Sequence, residues 1–254
     1  MNRSRNVLLL LVLAAVGCGT SPSASQRLKF EEAERAFQAA KSADDYLLVA
    51  GTYQEIVDSG MSSATVFFNQ GNAFMQAEQP GYAIASYRQA LRFAPTDSSI
   101  HNNLQAALRK TGGSDPPDNW VRRVLFWQDW IGYASKFKLA TGFLVLTSLC
   151  LIFARLLANR SLRTCGIVLL IGSVVTTASA VYDWYRFEHQ VSGVVVTGQV
   201  IARKGNDTTY EPAFNAPLRE GTEFRVLETR GDWSRVMVGD VGEGWLPSES
   251  VATY

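Results

Sequence analysis

Apolar residues follow three different rhythms along the chain. Over residues 26–112 they recur at intervals of three and four between charged and amide side chains, which predicts a series of amphipathic helices. Two stretches, 139–158 (LATGFLVLTSLCLIFARLLA) and 165–182 (CGIVLLIGSVVTTASAVY), are apolar almost without interruption and show no polar face. Each approaches the about 20 residues that a bilayer-crossing helix needs. They predict a transmembrane hairpin over 137–158 and 165–183, joined by the loop 159–164. Beyond residue 190, short β-rich runs are cut by Gly193, Gly221, Gly231, Gly239, Gly242 and Gly244, the punctuation of a small all-β barrel over 190–254. The expected fold class is a multi-domain membrane protein with an all-α part, a membrane hairpin and an all-β part.

Within the first rhythm, FFNQGNAFMQ (67–76) places a glycine inside a helical pattern, where it costs about 1 kcal/mol relative to alanine. Counting from Ala64, the residues Phe67, Gln70, Gly71, Phe74, Ala83, Tyr87, Ala90 and Pro95 follow one another at spacings that resemble the roughly 34-residue tetratricopeptide pattern. Only Gln70 departs, where leucine is usual. In that pattern Gly71 lets the two helices of the repeat approach closely. One period earlier Val49, Tyr53 and Ile56 stand where Ala83, Tyr87 and Ala90 stand, with Phe37 at the glycine position; one period later SSIHNNLQAALRK restarts the first helix and stops at TGG. Residues 26–112 thus hold roughly two and a half repeats, near the lower limit of such arrays. The resemblance implies a concave groove for an extended peptide, lined by Phe68, Asn72, Met75 and Asn102 with Asn69 and Asn103 beside them. Asparagine that only tightens packing between repeats is the alternative at the same positions.

At the N-terminus, Arg3 and Arg5 precede an apolar run too short to span a bilayer, as in a secretory signal over 1–25. AAVG before Cys18 resembles a bacterial lipobox with Ala15 in the usual leucine position, so Cys18 is the expected lipidation site, followed by a small-residue tether. An ordinary signal peptide cut near Ala24 is the alternative. Arg155, Arg160 and Arg163 cluster at the loop between the spans, whereas Asp183, Arg186 and Glu188 follow the second. That bias predicts a cytoplasmic loop with both termini outside, although Lys136 and Lys138 run against it. Between repeats and spans, 113–136 reads as a linker, within TGGSDPPD (111–118), and an interfacial helix with Trp120, Val124, Trp127 and Ile131 on one stripe and Arg122 and Asp129 opposite.

In the C-terminal part, the order ARKG, LREGTEF, VLETRGDW, GEGWLP resembles bacterial SH3 domains over 191–254. The insert 204–220, with Tyr210, Pro212, Phe214 and Pro217, matches the variable first loop of that fold. Tyr210, Phe214, Trp233 and Trp245 form the candidate ligand surface, with core and rim packing the alternative for the two tryptophans.

Charge and chemistry narrow the function. The 254 residues carry a net charge of +1, and both predicted soluble parts are mildly acidic, which argues against nucleic-acid binding. The two histidines, His101 and His189, fall in separate modules, and no HExxH, GxSxG, P-loop or CxxC motif occurs. Cys150 and Cys165 lie in the apolar runs as packing residues. No enzyme, cofactor or metal site is expected. The full module order resembles the BatE-like family of the bacterial aerotolerance (Bat) cluster. That resemblance implies a non-catalytic scaffold of the bacterial inner membrane with both termini periplasmic, working beside von Willebrand A-domain membrane proteins and a MoxR-type ATPase. A cell-wall accessory that binds peptidoglycan through the SH3-like domain is the alternative.

Overall fold

A computed structural model describes residues 22–113 and 130–254. Cys18 and the export signal, and Trp120, Arg122, Val124, Trp127 and Asp129 of the expected interfacial helix, lie outside the described residues. Among the described residues the chain forms seven α-helices and a five-stranded antiparallel sheet, and it divides into two compact units. One holds Ile131–Tyr185; the other joins Ser23–Trp130 to Arg186–Tyr254.

Five helices open the second unit: α1 (Ala24–Ala39), α2 (Ala43–Asp58), α3 (Ala64–Gln76), α4 (Pro80–Phe93) and α5 (Ser98–Thr111). Their starts are written locally. Ser23 and Ser42 form reciprocal capping boxes with Gln26 and Asp45, and the side chains of Ser63 and Asp97 cap α3 and α5. The buried positions repeat at the interval seen in the sequence: Val49, Tyr53 and Ile56 of α2 are buried like Ala83, Tyr87 and Ala90 of α4, and Val66 and Ala73 of α3 like Ile100 and Ala107 of α5. A Cβ added at Gly71 would stand 2.5 Å from Cε1 of the buried Tyr87 ring, so the close approach of α3 and α4 requires glycine. Gln70, the departure from the pattern, is buried because it is satisfied. Its Nε2 donates to Gln54 Oε1 at 3.0 Å and its Oε1 accepts from Ser86 Oγ at 3.2 Å, tying α3 to both neighbours.

The C-terminal strands are β1 (Ser192–Val195), β2 (Gln199–Val200), β3 (Leu218–Arg219), β4 (Glu223–Arg230), β5 (Trp233–Val238), β6 (Gly242–Pro247) and β7 (Val251–Thr253). The main sheet runs β6-β5-β4-β1-β7, all antiparallel, and β2 pairs with β3. Val195, Leu218, Phe224, Val236 and Leu246 fill its core.

Helices and sheet are not separate bodies, as two soluble modules on either side of a membrane hairpin suggest. Val194 and Val196 belong to the same buried cluster as Phe67, Ile84, Tyr87 and Leu104. Helix α4 lies on β1 so closely that a Cβ on Gly81 would meet Val196 Cα at 2.8 Å and Val195 O at 2.9 Å. Arg88 of α4 reaches Glu223 of β4 with two nitrogens, at 2.9 and 2.8 Å, and the Tyr254 hydroxyl donates to the same carboxylate. Of these five helices α4 alone lacks a local side-chain cap; Glu220 supplies it from across the interface, its Oε1 accepting from the Gly81 N–H at 2.9 Å.

The other unit consists of α6 (Tyr133–Leu156) and α7 (Arg160–His189), the latter extending past it. Both contain stretches long and apolar enough to cross a membrane, Ser135–Leu156 and Arg160–Phe187. They face each other through small and polar residues: Ser173 Oγ donates to Ala140 O at 3.1 Å, and Lys136 Nζ pairs with Asp183 Oδ2 at 2.5 Å with both side chains buried. The turn is shorter than the expected loop 159–164. Asn159 Oδ1 accepts from Ser161 N at 2.9 Å and Leu162 N at 3.3 Å, which starts α7 at Arg160 and takes Arg160–Thr164 into the helix.

Candidate functional site

Helices α1, α2 and α3 enclose an open groove of about 900 Å³, lined by Glu31, Glu34, Arg35, Phe37, Gln38, Ala39, Tyr53, Asn69 and Asn72. Amide positions on α3 have counterparts one period back on α1: Asn69 corresponds to Arg35 and Asn72 to Gln38. Successive first helices therefore present equivalent positions to one concave wall.

A tyrosine–asparagine ladder holds this wall in place. Burial pushes the Tyr53 phenol above its ordinary value, opposed by a hydrogen bond with Asn69. Tyr87 is pushed up further by its burial, opposed by Asn103. The two pairs are one period apart, so each second-helix tyrosine meets the asparagine of the following first helix. Asn72 joins the second rung: its Oδ1 accepts from Tyr87 Oη and from Asn103 Nδ2, both at 2.8 Å. Its Nδ2 donates to no partner among the described residues, and Asn72 is one of the residues that line the groove.

The six groove positions expected from the sequence separate. Asn69 and Asn72 line the groove, while Asn103 supports Asn72 from behind. Phe68 and Met75 pack against the core, with the Phe68 ring 6.0 Å from that of Tyr87, and Asn102 is exposed on α5. Sequence inspection missed Glu31, Glu34, Arg35, Phe37, Gln38 and Tyr53 as wall residues. The available signal was the period itself, since stepping back from Asn69 and Asn72 lands on Arg35 and Gln38.

In the sheet, the four candidate residues also part. Tyr210 is exposed near the tip of the insert, its ring over Gly205, where a Cβ would stand 2.6 Å away. Phe214 packs into the sheet core. Trp233 is half-buried opposite Pro247, and Trp245 is buried, with the Arg230 guanidinium 5.5 Å over its ring. Backbone bonds between Arg203 and Trp245, at 2.9 and 2.7 Å, lash the start of the insert to β6. Among these side chains only Tyr210 is presented to solvent as a ligand contact requires.

Compared with protein-family models, with curated proteins and with solved structures, the chain gives no match.

Proposed function

We propose that this chain is a non-catalytic, membrane-anchored adaptor that captures an extended peptide segment of a partner protein in the groove of a tetratricopeptide-type helical array, with an SH3-like barrel bracing the array. The observation that carries this is the free Asn72 Nδ2 on a groove wall of repeat-equivalent polar positions, beside the aromatic Phe37 and the carboxylates of Glu31 and Glu34. An amide donor suits a peptide carbonyl, the aromatic face suits an apolar side chain, and the carboxylates favour a basic one.

In this reading the hairpin anchors the adaptor in a bacterial inner membrane with both termini periplasmic. Two consecutive crossings return the chain to its starting side, which agrees with the array and the barrel sharing one core. The resemblance to the BatE-like family supplies the partner class: membrane proteins with von Willebrand A domains, in a system with a MoxR-type ATPase. Lipidation at Cys18 would add a second anchor.

Photo-crosslinking in native membranes tests the groove. A benzoylphenylalanine at Gln38 should give a discrete protein adduct, and one at the exposed Lys110 should not. In Asn72→Asp the oxygen acceptor for Tyr87 and Asn103 is kept and the amide donor lost, so the fold persists while the Gln38 adduct weakens. Equal adducts from Gln38 and Lys110, or an Asn72→Asp protein with undiminished capture, would refute the groove.

A further inference from the structure

At the turned end of the membrane hairpin, Leu151, Ala154 and Arg155 of α6, Ala158 and Asn159 of the turn, and Arg160 and Arg163 of α7 enclose a pocket of about 430 Å³. Three arginines line it and no acidic residue does; the sequence holds no acidic residue between positions 130 and 182. Asn159 already satisfies the first amides of α7, so the positive character of the pocket resides in the arginines. Beside it Leu156 and Leu157 are 73% and 66% exposed, apolar surface that faces lipid once the hairpin spans a bilayer.

We infer that this pocket binds the phosphate headgroup of an anionic phospholipid. Guanidinium forks match phosphate oxygens in pairs, and basic pockets between membrane helices at the cytoplasmic surface hold anionic headgroups. Leu151 and Ala154 supply the apolar side along which the lipid's glycerol and first acyl carbons lie. Free phosphate shares the chemistry, but the exposed leucines at the rim select the lipid form. The inference rests on the hairpin crossing the membrane, and not on the groove.

Full-length protein in mild detergent, stripped of lipid and titrated with phosphatidylglycerol or phosphatidylcholine under native mass spectrometry, tests it. Phosphatidylglycerol should bind at a ratio of one and be preferred, and the triple variant Arg155→Gln, Arg160→Gln, Arg163→Gln should bind it at least roughly tenfold more weakly. Both proteins are first extracted from membranes with alkaline carbonate. Release of the wild-type chain would overturn the spanning hairpin and this site with it. Retention in the membrane with equal affinity for the two lipids would overturn the site alone, as would a triple variant that keeps the preference. Sodium phosphate that raises the melting temperature as much as phosphatidylglycerol, at equal concentration, would refute the lipid as ligand.

Discussion

At the residue scale, two helix-interior glycines carry opposite expectations for the same substitution. Gly71→Ala adds a methyl group 2.5 Å from a ring that is itself 1% exposed, so the helices must separate; it should destabilise the unit of helices and sheet by about 1–3 kcal/mol despite the better helix propensity of alanine. Gly51 lies in α2 with nothing within 4 Å of its added Cβ, and Gly51→Ala should stabilise by about 0.5–1 kcal/mol. Chemical denaturation of both variants measures the pair, and a shared sign would show that packing does not separate them. Gly71 was legible in the sequence because a costly residue stood at a fixed place in a period. Gln70 was legible only as a departure, since the partners that let it be buried, Gln54 and Ser86, sit on two other helices.

Among elements, α4 is the shared one, packed on α3 and α5 on one side and on the sheet on the other. Removing its remote cap in Glu220→Ala should cost about 1 kcal/mol and speed amide exchange at Gly81, while the caps of the other helices stay slow. The same interface sets a pH dependence. Tyr254 is held protonated above its ordinary value of 10.0, first by burial and then by the charge of Glu223 beside it, with Arg88 and Arg92 opposing. The unfolded chain loses that proton as pH passes about 10 while the folded chain keeps it, so the contribution is whole below pH 10 and falls away as pH rises further. Tyr53 and Tyr87 act in the same direction. Stability should therefore decline above pH 10, and Tyr254→Phe should flatten the decline; thermal melts across that range would show an unchanged slope if the interface were open to water. None of this docking could be read from the sequence. Gly81 and Glu220 stand 139 residues apart, Arg88 and Glu223 135, and no period links them.

For the whole molecule, a common core commits the array and the sheet to one side of any membrane that the hairpin crosses. Single cysteines at Lys110 and Asn206, in a background without the natural ones, should both react with an impermeant thiol reagent added outside cells, and one at Ser161 should not. Labelling of Ser161 alone would invert the orientation. Thr111 is unsuitable for such a probe, because it packs on Gly221. Helix periods and apolar runs gave the modules, since each is a local pattern, whereas their union depends on shape and charge brought together only in the folded state. The distance along the chain between Gly81 and Glu220 also has a temporal meaning. Ribosomes add about 5–20 residues per second, so on the order of 10 s separates synthesis of the helix start from that of its cap. During that interval the two helices long and apolar enough to cross a membrane are made and the array stands without its sheet, its fourth helix bare along the side that β1 and β7 will cover. The start of the fourth helix thus waits for residues translated well after it, and a chain truncated before Glu220 would leave that side uncovered and open to proteases and chaperones.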